Sequence, residues 1–405
     1  MRIGEFSKKT DTSIDTVRHY ITLGLLVPTK EGKYFQFDER CISDFNRIKE
    51  MKDMDFSLQE IKNILLLSRF SKLTLSQERQ HYRSFFRNKM KELVKEKEIL
   101  TKKIEKLETK VNTIEEEFLH EPISLGINIM AISKLFCPKC QMPLNLDEAD
   151  IQDNMIVEGK MSCQCGNLFE VQSGILVHPD SMRDSEEAAE ADFRKYVDET
   201  NDDFLDNIYA AMSWCHKCIE TNETNSQMIL ELGVGNGILL SHIYKDIPDQ
   251  AMYIAVDYDF KKLKYIKRVL ERSGIKKNIM FICCDYENMP LQNGSVDYVV
   301  DFFGMSNYSF KHTDFLHKYI DRYYKPNVYL LGTFMLFDKF KQKGDISPDQ
   351  YHLFKKNGII KELEALRFNL EDEYLFGSSI EGEKDNMVFE ITNRIYIYGY
   401  LGQRS

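Results

Sequence analysis

Along residues 1–72, apolar positions recur at helical spacing in short bursts. Ile3–Lys9 reads as a short helix, Asp11-Thr12-Ser13 as a turn with N-cap oxygens, and Ile14–Leu23 as a second helix that Gly24 stops. Lys30–Phe37 (KEGKYFQF) alternates about a glycine and predicts a β-hairpin. Helices are expected again at Cys41–Met54 and Leu58–Ser68, the latter opened by Ser57 with Glu60 three places on, a capping box. Two short helices around a tight polar turn, followed by a hairpin, are the sequence form of a winged helix-turn-helix.

Residues 75–119 change character: they are rich in Lys and Glu, without Pro or Gly, and predict one long helix that Pro122 and Gly126 end. Met90, Leu93, Lys97, Leu100, Ile104, Leu107, Val111, Ile114 and Phe118 alternate at spacings of three and four. Such a seam predicts a coiled coil, about 45 Å long, that pairs two copies of the chain as a homodimer. Residues 134–178 carry four cysteines among short strand-like runs, and residues 190–405 alternate apolar strands with helical stretches in α/β style. The expected fold class is therefore multidomain. A winged helix-turn-helix (1–72) and a coiled-coil dimerisation helix (75–119) precede a small zinc ribbon (134–178) and an α/β Rossmann-like domain (190–405).

Composition narrows the setting. A 43% hydrophobic share supports buried cores and excludes a disordered tail. No stretch approaches 18 uninterrupted apolar residues and MRIGEFSKKT has no apolar h-region, so a cytoplasmic location without a membrane partner is expected. Taken alone, the net charge of −10 argues against nucleic acid, but it is unevenly spread. Residues 1–120 carry 24 Lys+Arg against 20 Asp+Glu, leaving 30 against 44 for residues 121–405. A mildly basic arm thus precedes an acidic body.

The cysteines separate by spacing. Cys137-Pro-Lys-Cys140 and Cys163-Gln-Cys165-Gly166 form C-x2-C and C-x-C-G with 22 residues between. Two pairs on tight turns bring four thiolates around one ion, and Zn²⁺ favours that donor set. With four sulfur ligands the site is closed, hence structural. A segment of about 45 residues has little core of its own, so the metal is expected to supply folding free energy. Cys215 and Cys218 form a third C-x-x-C, but on an amphipathic helix, Asp203–Glu220, without a second pair nearby; they read as core, as do Cys283 and Cys284.

In the α/β segment, the apolar strand Met228–Leu232 runs into Glu231-Leu-Gly233-Val-Gly235-Asn-Gly237 ahead of a helix at Ile238–Ile247. Glycines at such a turn let the backbone approach a ligand closely. The next strand, Met252–Asp257, ends in an acid twenty residues after Gly237, where a carboxylate accepts two ribose hydroxyls. Strands at Ile279–Cys284 and Val296–Phe303 follow, the first ending at Asp285-Tyr286. The dinucleotide fingerprint G-x-G-x-x-G is not met, because position 238 is Ile.

Two resemblances give these patterns a function. VRHYITLGLLVP (Val17–Pro28), KYFQFDERCISDFNRIKEM and DFSLQEIKNILLL resemble the N-terminal domain of MerR-type transcriptional regulators over roughly residues 1–70. That resemblance implies groove and phosphate contacts to promoter DNA from Thr16, Arg18 and Tyr20 on the second helix and from Lys33 and Tyr34 on the wing. It departs at Phe35, where the family usually carries Arg. It also implies an antiparallel coiled-coil dimer and distortion of a promoter for use by RNA polymerase. The E-x-G-x-G-x-G pattern with acids ending two further strands resembles class I S-adenosylmethionine-dependent methyltransferases over roughly residues 190–405. Lys325-Pro326-Asn327 stands where that family often has a K-P-G-G turn. The likeness implies donor contacts from Glu231, Gly233, Gly235 and Gly237 on the methionine and ribose side, Asp257 on the ribose, and Asp285-Tyr286 at the adenine. Asp301 would approach the methyl group. Cys137–Leu144 with Gly166–Val177 resembles the zinc ribbon ahead of some such enzymes, including certain rRNA guanine methyltransferases. Tyr308, His312 and His317 follow the fourth strand and are candidates to face an acceptor. The expected cofactors are S-adenosylmethionine and Zn²⁺. The expected activity is DNA-binding regulation with an effector domain that methylates or senses a small molecule. The alternative is a methyltransferase, detoxifying or rRNA-modifying, that controls its own gene.

Overall fold

Helix starts and stops in the N-terminal part follow local hydrogen bonding. The Ser13 hydroxyl accepts the Thr16 N–H at 3.0 Å and opens α2 (Ile14–Thr22) after α1 (Ile3–Lys9). β1 (Thr29–Glu31) pairs antiparallel with β2 (Tyr34–Gln36), the expected wing. Asp38 accepts the Cys41 N–H at the start of α3 (Glu39–Asp53), and this bond, with the Arg40 guanidinium, holds its carboxyl down at about 2. At α4 (Leu58–Phe70) the Ser57 N–H donates to Glu60 at 2.7 Å while the Glu60 N–H donates back to Ser57 at 3.3 Å. Phe6, Val17, Phe37, Phe45, Ile48, Ile61 and Ile64 form the core they enclose. Arg69 at the end of α4 donates to the carbonyls of Gly24 and Leu25 and to Asp44, tying that helix to the turn after α2.

The computed structural model describes residues 1–70, 75–117, 123–180, 195–221, 228–341, 346–380 and 394–405. It divides into two compact units, Met1–Glu117 and Phe118–Ser405. The long helix α5 spans Leu75–Glu117, 43 residues, or about 65 Å. Met90, Leu93, Leu100, Ile104, Leu107 and Val111 are exposed along it. Phe118 and Pro122, the ends of the expected seam and helix, lie outside the described residues.

In the second unit the described strands are β3 (Ile127–Asn128), β4 (Asn145–Gln152), β5 (Met155–Ser162), β6 (Leu168–Gln172) and β7 (Ile175–Val177). They continue with β8 (Met228–Leu232), β9 (Met252–Asp257), β10 (Ile279–Cys283), β11 (Val296–Phe302), β12 (Tyr324–Phe337), β13 (Phe368–Ile380) and β14 (Arg394–Arg404). They form one sheet in the order β13-β14-β12-β11-β8-β9-β10-β7-β6-β5-β3, with β4 on β5. Neighbours from β12 through β10 to β7 are parallel, and β14 is antiparallel to β12. The apolar run of β8 is buried throughout, as a central parallel strand covered on both faces requires. Tyr253, Ala255 and Phe281 meet Leu240, Leu263 and Ile266 on one face; Leu230, Val256 and Val299 meet Met305, Phe315 and Leu316 on the other.

The cysteine-bearing segment is not the isolated miniature that its length suggested. β7 pairs in parallel with β10, and Leu135, Leu144, Ile156, Met161, Phe169 and Leu176 belong to the same core as β8 and β9. Its hairpins turn on left-handed pairs, Asp153-Asn154 and Ser173-Gly174. β12 also begins earlier than expected: Tyr324 pairs with Val296, so Lys325-Pro326-Asn327 lies within the strand at a register shift rather than in a turn before it.

Candidate functional site

Successive strands β8, β9 and β10 step one way across the sheet, and β11 and β12 step the other. The break between β8 and β11 is a topological switch point, where a crevice opens at the carboxyl ends of the strands. The glycine loop lies there. Gly233, Gly235 and Gly237 have φ of 63, 53 and 71°, so the loop needs a left-handed backbone at alternate residues. Gly237 abuts the Ile266 side chain, while a Cβ on Gly235 would touch only the Gly233 carbonyl at 3.9 Å. The loop is thus packed from beneath at Gly237 and open at Gly235.

Asp257, at the end of β9, accepts the Gly235 N–H at 2.8 Å and the Asp259 N–H at 2.9 Å, one on each carboxylate oxygen. Burial raises its pKa against these bonds. Each oxygen keeps lone-pair capacity for a hydroxyl, so the acid and the loop suit a ribose donor. Asp285 is exposed and caps the turn after β10 by accepting the Asn288 N–H at 3.0 Å. Tyr286 folds back, its hydroxyl 2.9 Å from where a Gly233 Cβ would stand.

Two of the expected donor residues, Glu231 and Asp301, are buried beneath the loop. Glu231 is 2% exposed and accepts the Tyr253 hydroxyl at 3.0 Å beneath the loop; burial pushes its carboxyl up to about 8. Asp301 is fully enclosed, accepting the Met305 N–H at 2.9 Å and pairing with His317 Nε2 at 2.8 Å. His317 Nδ1 lies 2.6 Å from the Tyr324 hydroxyl. With Nε2–H donating to Asp301 and Nδ1 accepting from the Tyr324 hydroxyl, all three groups are satisfied. Asp301 therefore braces the turn after β11, and both ring nitrogens of buried His317 are engaged within the core. Tyr308 and His312, by contrast, stack at 3.9 Å, with Tyr308 half-buried and His312 exposed.

In the first unit Arg18, Lys33 and Tyr34 are exposed and Thr16 half-buried, while Arg2 lies 4.9 Å over the Tyr34 ring. Tyr20, by contrast, is buried, its ring 6.2 Å from that of Phe45, because its helical position faces inward.

The four expected metal ligands meet. Their sulfurs lie within 4.8 Å of one another, with Cys137–Cys165 at 3.5 Å and Cys140–Cys163 at 3.3 Å. Tetrahedral Zn–S bonds of about 2.3 Å place sulfurs about 3.8 Å apart, so the set fits such an ion. Burial opposes ionisation of Cys137, but the N–H groups of Cys140 and Lys139 and the neighbouring thiols bring it down to about 7. The Cys165 N–H favours ionised Cys163, yet burial and the other sulfurs hold it up at about 12. Four such thiols ionise together only with a cation among them. Cys215 and Cys218 are buried core thiols, as the sequence suggested.

Comparison with known proteins separates the same two parts. Residues 1–67 match the MerR HTH family of regulatory proteins, and residues 229–327 match a methyltransferase domain. The chain joins a MerR-type helix-turn-helix to an S-adenosylmethionine-dependent methyltransferase domain. A similar protein, the ubiquinone/menaquinone biosynthesis C-methyltransferase UbiE of Wigglesworthia glossinidia brevipalpis, is 29% identical over 99 residues, 24% of this chain and 40% of that one. The HTH-type transcriptional regulator ZntR homolog of Haemophilus influenzae is 34% identical over 74 residues, 18% of this chain and 55% of that one. The chain thus spans about half or less of the length of these relatives. A solved S-adenosylmethionine-dependent methyltransferase from Aquifex aeolicus is 17% identical, covering 47% of this chain and 89% of that one at a TM-score of 0.34.

Sequence reasoning missed two features of the second unit. Tyr324 in the buried chain to Asp301 carried no signal, because its partners sit on other elements. Gln141, directly after the metal-ligand position Cys140, gave none either; it adopts φ 59° and reaches the loop after β10.

Proposed function

We propose that the chain is a dimeric MerR-like promoter-binding regulator whose methyltransferase domain binds S-adenosylmethionine and methylates or senses a small molecule. The observation that carries this reading is the Asp257–Gly235 bond: it joins a left-handed glycine loop to a ribose-type acid at the switch point, in a chain that also carries a helix-turn-helix. Gly233, Gly235 and Gly237 shape the floor, Asp257 accepts from the ribose, and Asp285 with Tyr286 borders the adenine. Glu231 and Asp301 hold that floor from beneath. Bound S-adenosylmethionine supplies an electrophilic methyl group on a sulfonium. Little acid-base help is needed from the protein; its task is to align the acceptor and exclude water.

On the DNA side, Thr16, Arg18, Lys33 and Tyr34 are the groove and phosphate contacts, and the exposed seam of α5 pairs two copies. Working boundaries are 1–72, 75–119, 134–178 and 190–405, with Zn²⁺ at the four cysteines and RNA polymerase as the partner at the promoter. Occupancy of the donor site biases DNA binding only by as much as the two ligands favour the same conformation. A second reading, an enzyme that controls its own gene, ranks small molecules above RNA because residues 121–405 carry 30 basic against 44 acidic groups. The test is calorimetry of S-adenosylmethionine with the full chain, followed by promoter titrations with and without it. Absence of binding refutes the donor site; binding with no effect on promoter affinity or output removes the coupling and leaves the enzyme reading.

A further inference from the structure

The four-cysteine centre and the donor loop share a short segment, Cys284–Asn293, and are tied to it from both sides. On one side, Leu135 bridges antiparallel to Leu291 and the Phe136 N–H donates to the Pro290 carbonyl at 3.1 Å. Gln141, between Cys140 and Met142, adds a side-chain strut. Its Nε2 donates to the carbonyls of Cys137 (3.2 Å) and Leu291 (3.4 Å), and its Oε1 accepts the Asn293 N–H at 2.9 Å. On the other side, the His178 N–H donates to the Cys283 carbonyl at 2.9 Å, at the end of β10. The His178 ring lies 3.4 Å from Asn167, whose amide points at Cys137 Sγ at 3.7 Å. The segment so held carries Asp285 and Tyr286, and the Tyr286 hydroxyl lies against Gly233.

We propose that Gln141 is a positioning residue that fastens the donor-binding loop to the cysteine centre, so that Zn²⁺ loading and S-adenosylmethionine binding strengthen one another. The proposal rests on the donor and zinc readings above. A metal ion fixes the turn Cys137–Cys140 that leads directly into Gln141, and the Gln141 N–H already donates to the Cys137 carbonyl at 2.8 Å. Without the ion, the Gln141 backbone and the segment it holds gain freedom, and the donor must restrict them on binding. Linkage makes the effect reciprocal: whatever factor zinc adds to donor affinity, the donor adds to zinc affinity.

The test uses the full chain, zinc-loaded and chelator-stripped, with calorimetric S-adenosylmethionine titrations, zinc content and melting temperature recorded for each form. Stripping is expected to weaken donor binding about 5-fold or more, and saturating donor to slow zinc loss to a chelator correspondingly. Gln141→Asn keeps a residue tolerant of positive φ but shortens the strut. Loaded with one zinc per chain and melting like the parent, it is expected to bind donor several-fold more weakly and to lose most of the coupling. Parent-like donor affinity in loaded Gln141→Asn, or equal donor affinity with and without zinc, overturns the proposal. If loaded parent protein binds no S-adenosylmethionine, the donor reading falls and this one with it; if it takes up no zinc, the metal reading falls in the same way.

Discussion

Replacing Glu231 with Gln tests the buried acid beneath the glycine loop. Glu231 is almost wholly enclosed, and burial lifts its carboxyl to about 8, against an ordinary value of 4.5. The folded-state pKa lies above the unfolded one, so the folded chain binds the extra proton between these values. Stability from this group is therefore present below about pH 4.5 and is lost as pH rises towards 8. At about 1.36 kcal/mol per pK unit, the loss comes to about 3 kcal/mol between about pH 5 and 7.5, and to about 5 kcal/mol once the folded acid has ionised. Gln presents an oxygen to the Tyr253 hydroxyl, as the protonated acid does, but cannot ionise. The variant is expected to match the parent within about 1 kcal/mol near pH 5 and to be the more stable form by several kcal/mol at pH 8. Paired urea unfolding from pH 5 to 8.5, read as the parent-minus-variant difference, cancels other titrating groups. A difference that stays flat across this range refutes the buried, neutral Glu231.

Gly237→Ala adds a Cβ that would stand 2.3 Å from the Ile266 side chain at φ 71°, and it is expected to cost about 2–4 kcal/mol in thermal or urea unfolding. His317→Ala leaves the enclosed Asp301 carboxylate without its ring partner and is expected to destabilise by about 3–5 kcal/mol, whereas Tyr324→Phe costs about 1–2 kcal/mol; equal losses in urea unfolding would contradict the proposed chain of hydrogen bonds. Arg18→Ala and Lys33→Ala are each expected to weaken promoter binding and to reduce the slope of log affinity against log salt by about 1, measured by fluorescence anisotropy across salt concentrations, while Tyr20→Phe leaves that slope unchanged.

The parts legible in the sequence are those governed by neighbours along the chain. The Ser57–Glu60 capping box, the hairpin around Gly32 and the left-handed glycine loop are short-range demands, and the residues that meet them stand in fixed order. The two cysteine pairs were legible for a different reason, because metal geometry requires paired thiolates. What stayed hidden depends on partners far along the chain. Ile175–Val177 reads as a strand, but nothing in it says that Phe281–Cys283 is its neighbour, so the ribbon appeared separate from the sheet it extends. Asp301 stood at a plausible donor position; only the approach of His317 and Tyr324 shows that its carboxylate is already committed. The burial of Tyr20 was not legible, because an exposed and a buried tyrosine on a short helix differ by one position of helical phase.

The turn after β11 shows why the proposed donor floor needs such bracing. Phe303 adopts φ 64°, a left-handed conformation that a bulky residue enters at about 1–2 kcal/mol. Glycine comes one residue later, and it has to be there: a Cβ on Gly304 would stand 2.6 Å from the Leu232 carbonyl and 2.9 Å from Asp301. Moving the glycine to 303 would relieve the strain but remove a buried ring that packs on Phe302 at 4.7 Å, worth about 2–3 kcal/mol. Burial of Phe303 therefore outweighs its backbone strain, and the close approach of Gly304 fixes the order of the two residues. The Asp301–Met305 bond then holds the turn in the strained form, with Gly304 against Gly233. Held in this way, Asp301 spares the proposed donor site from ordering that turn each time it binds.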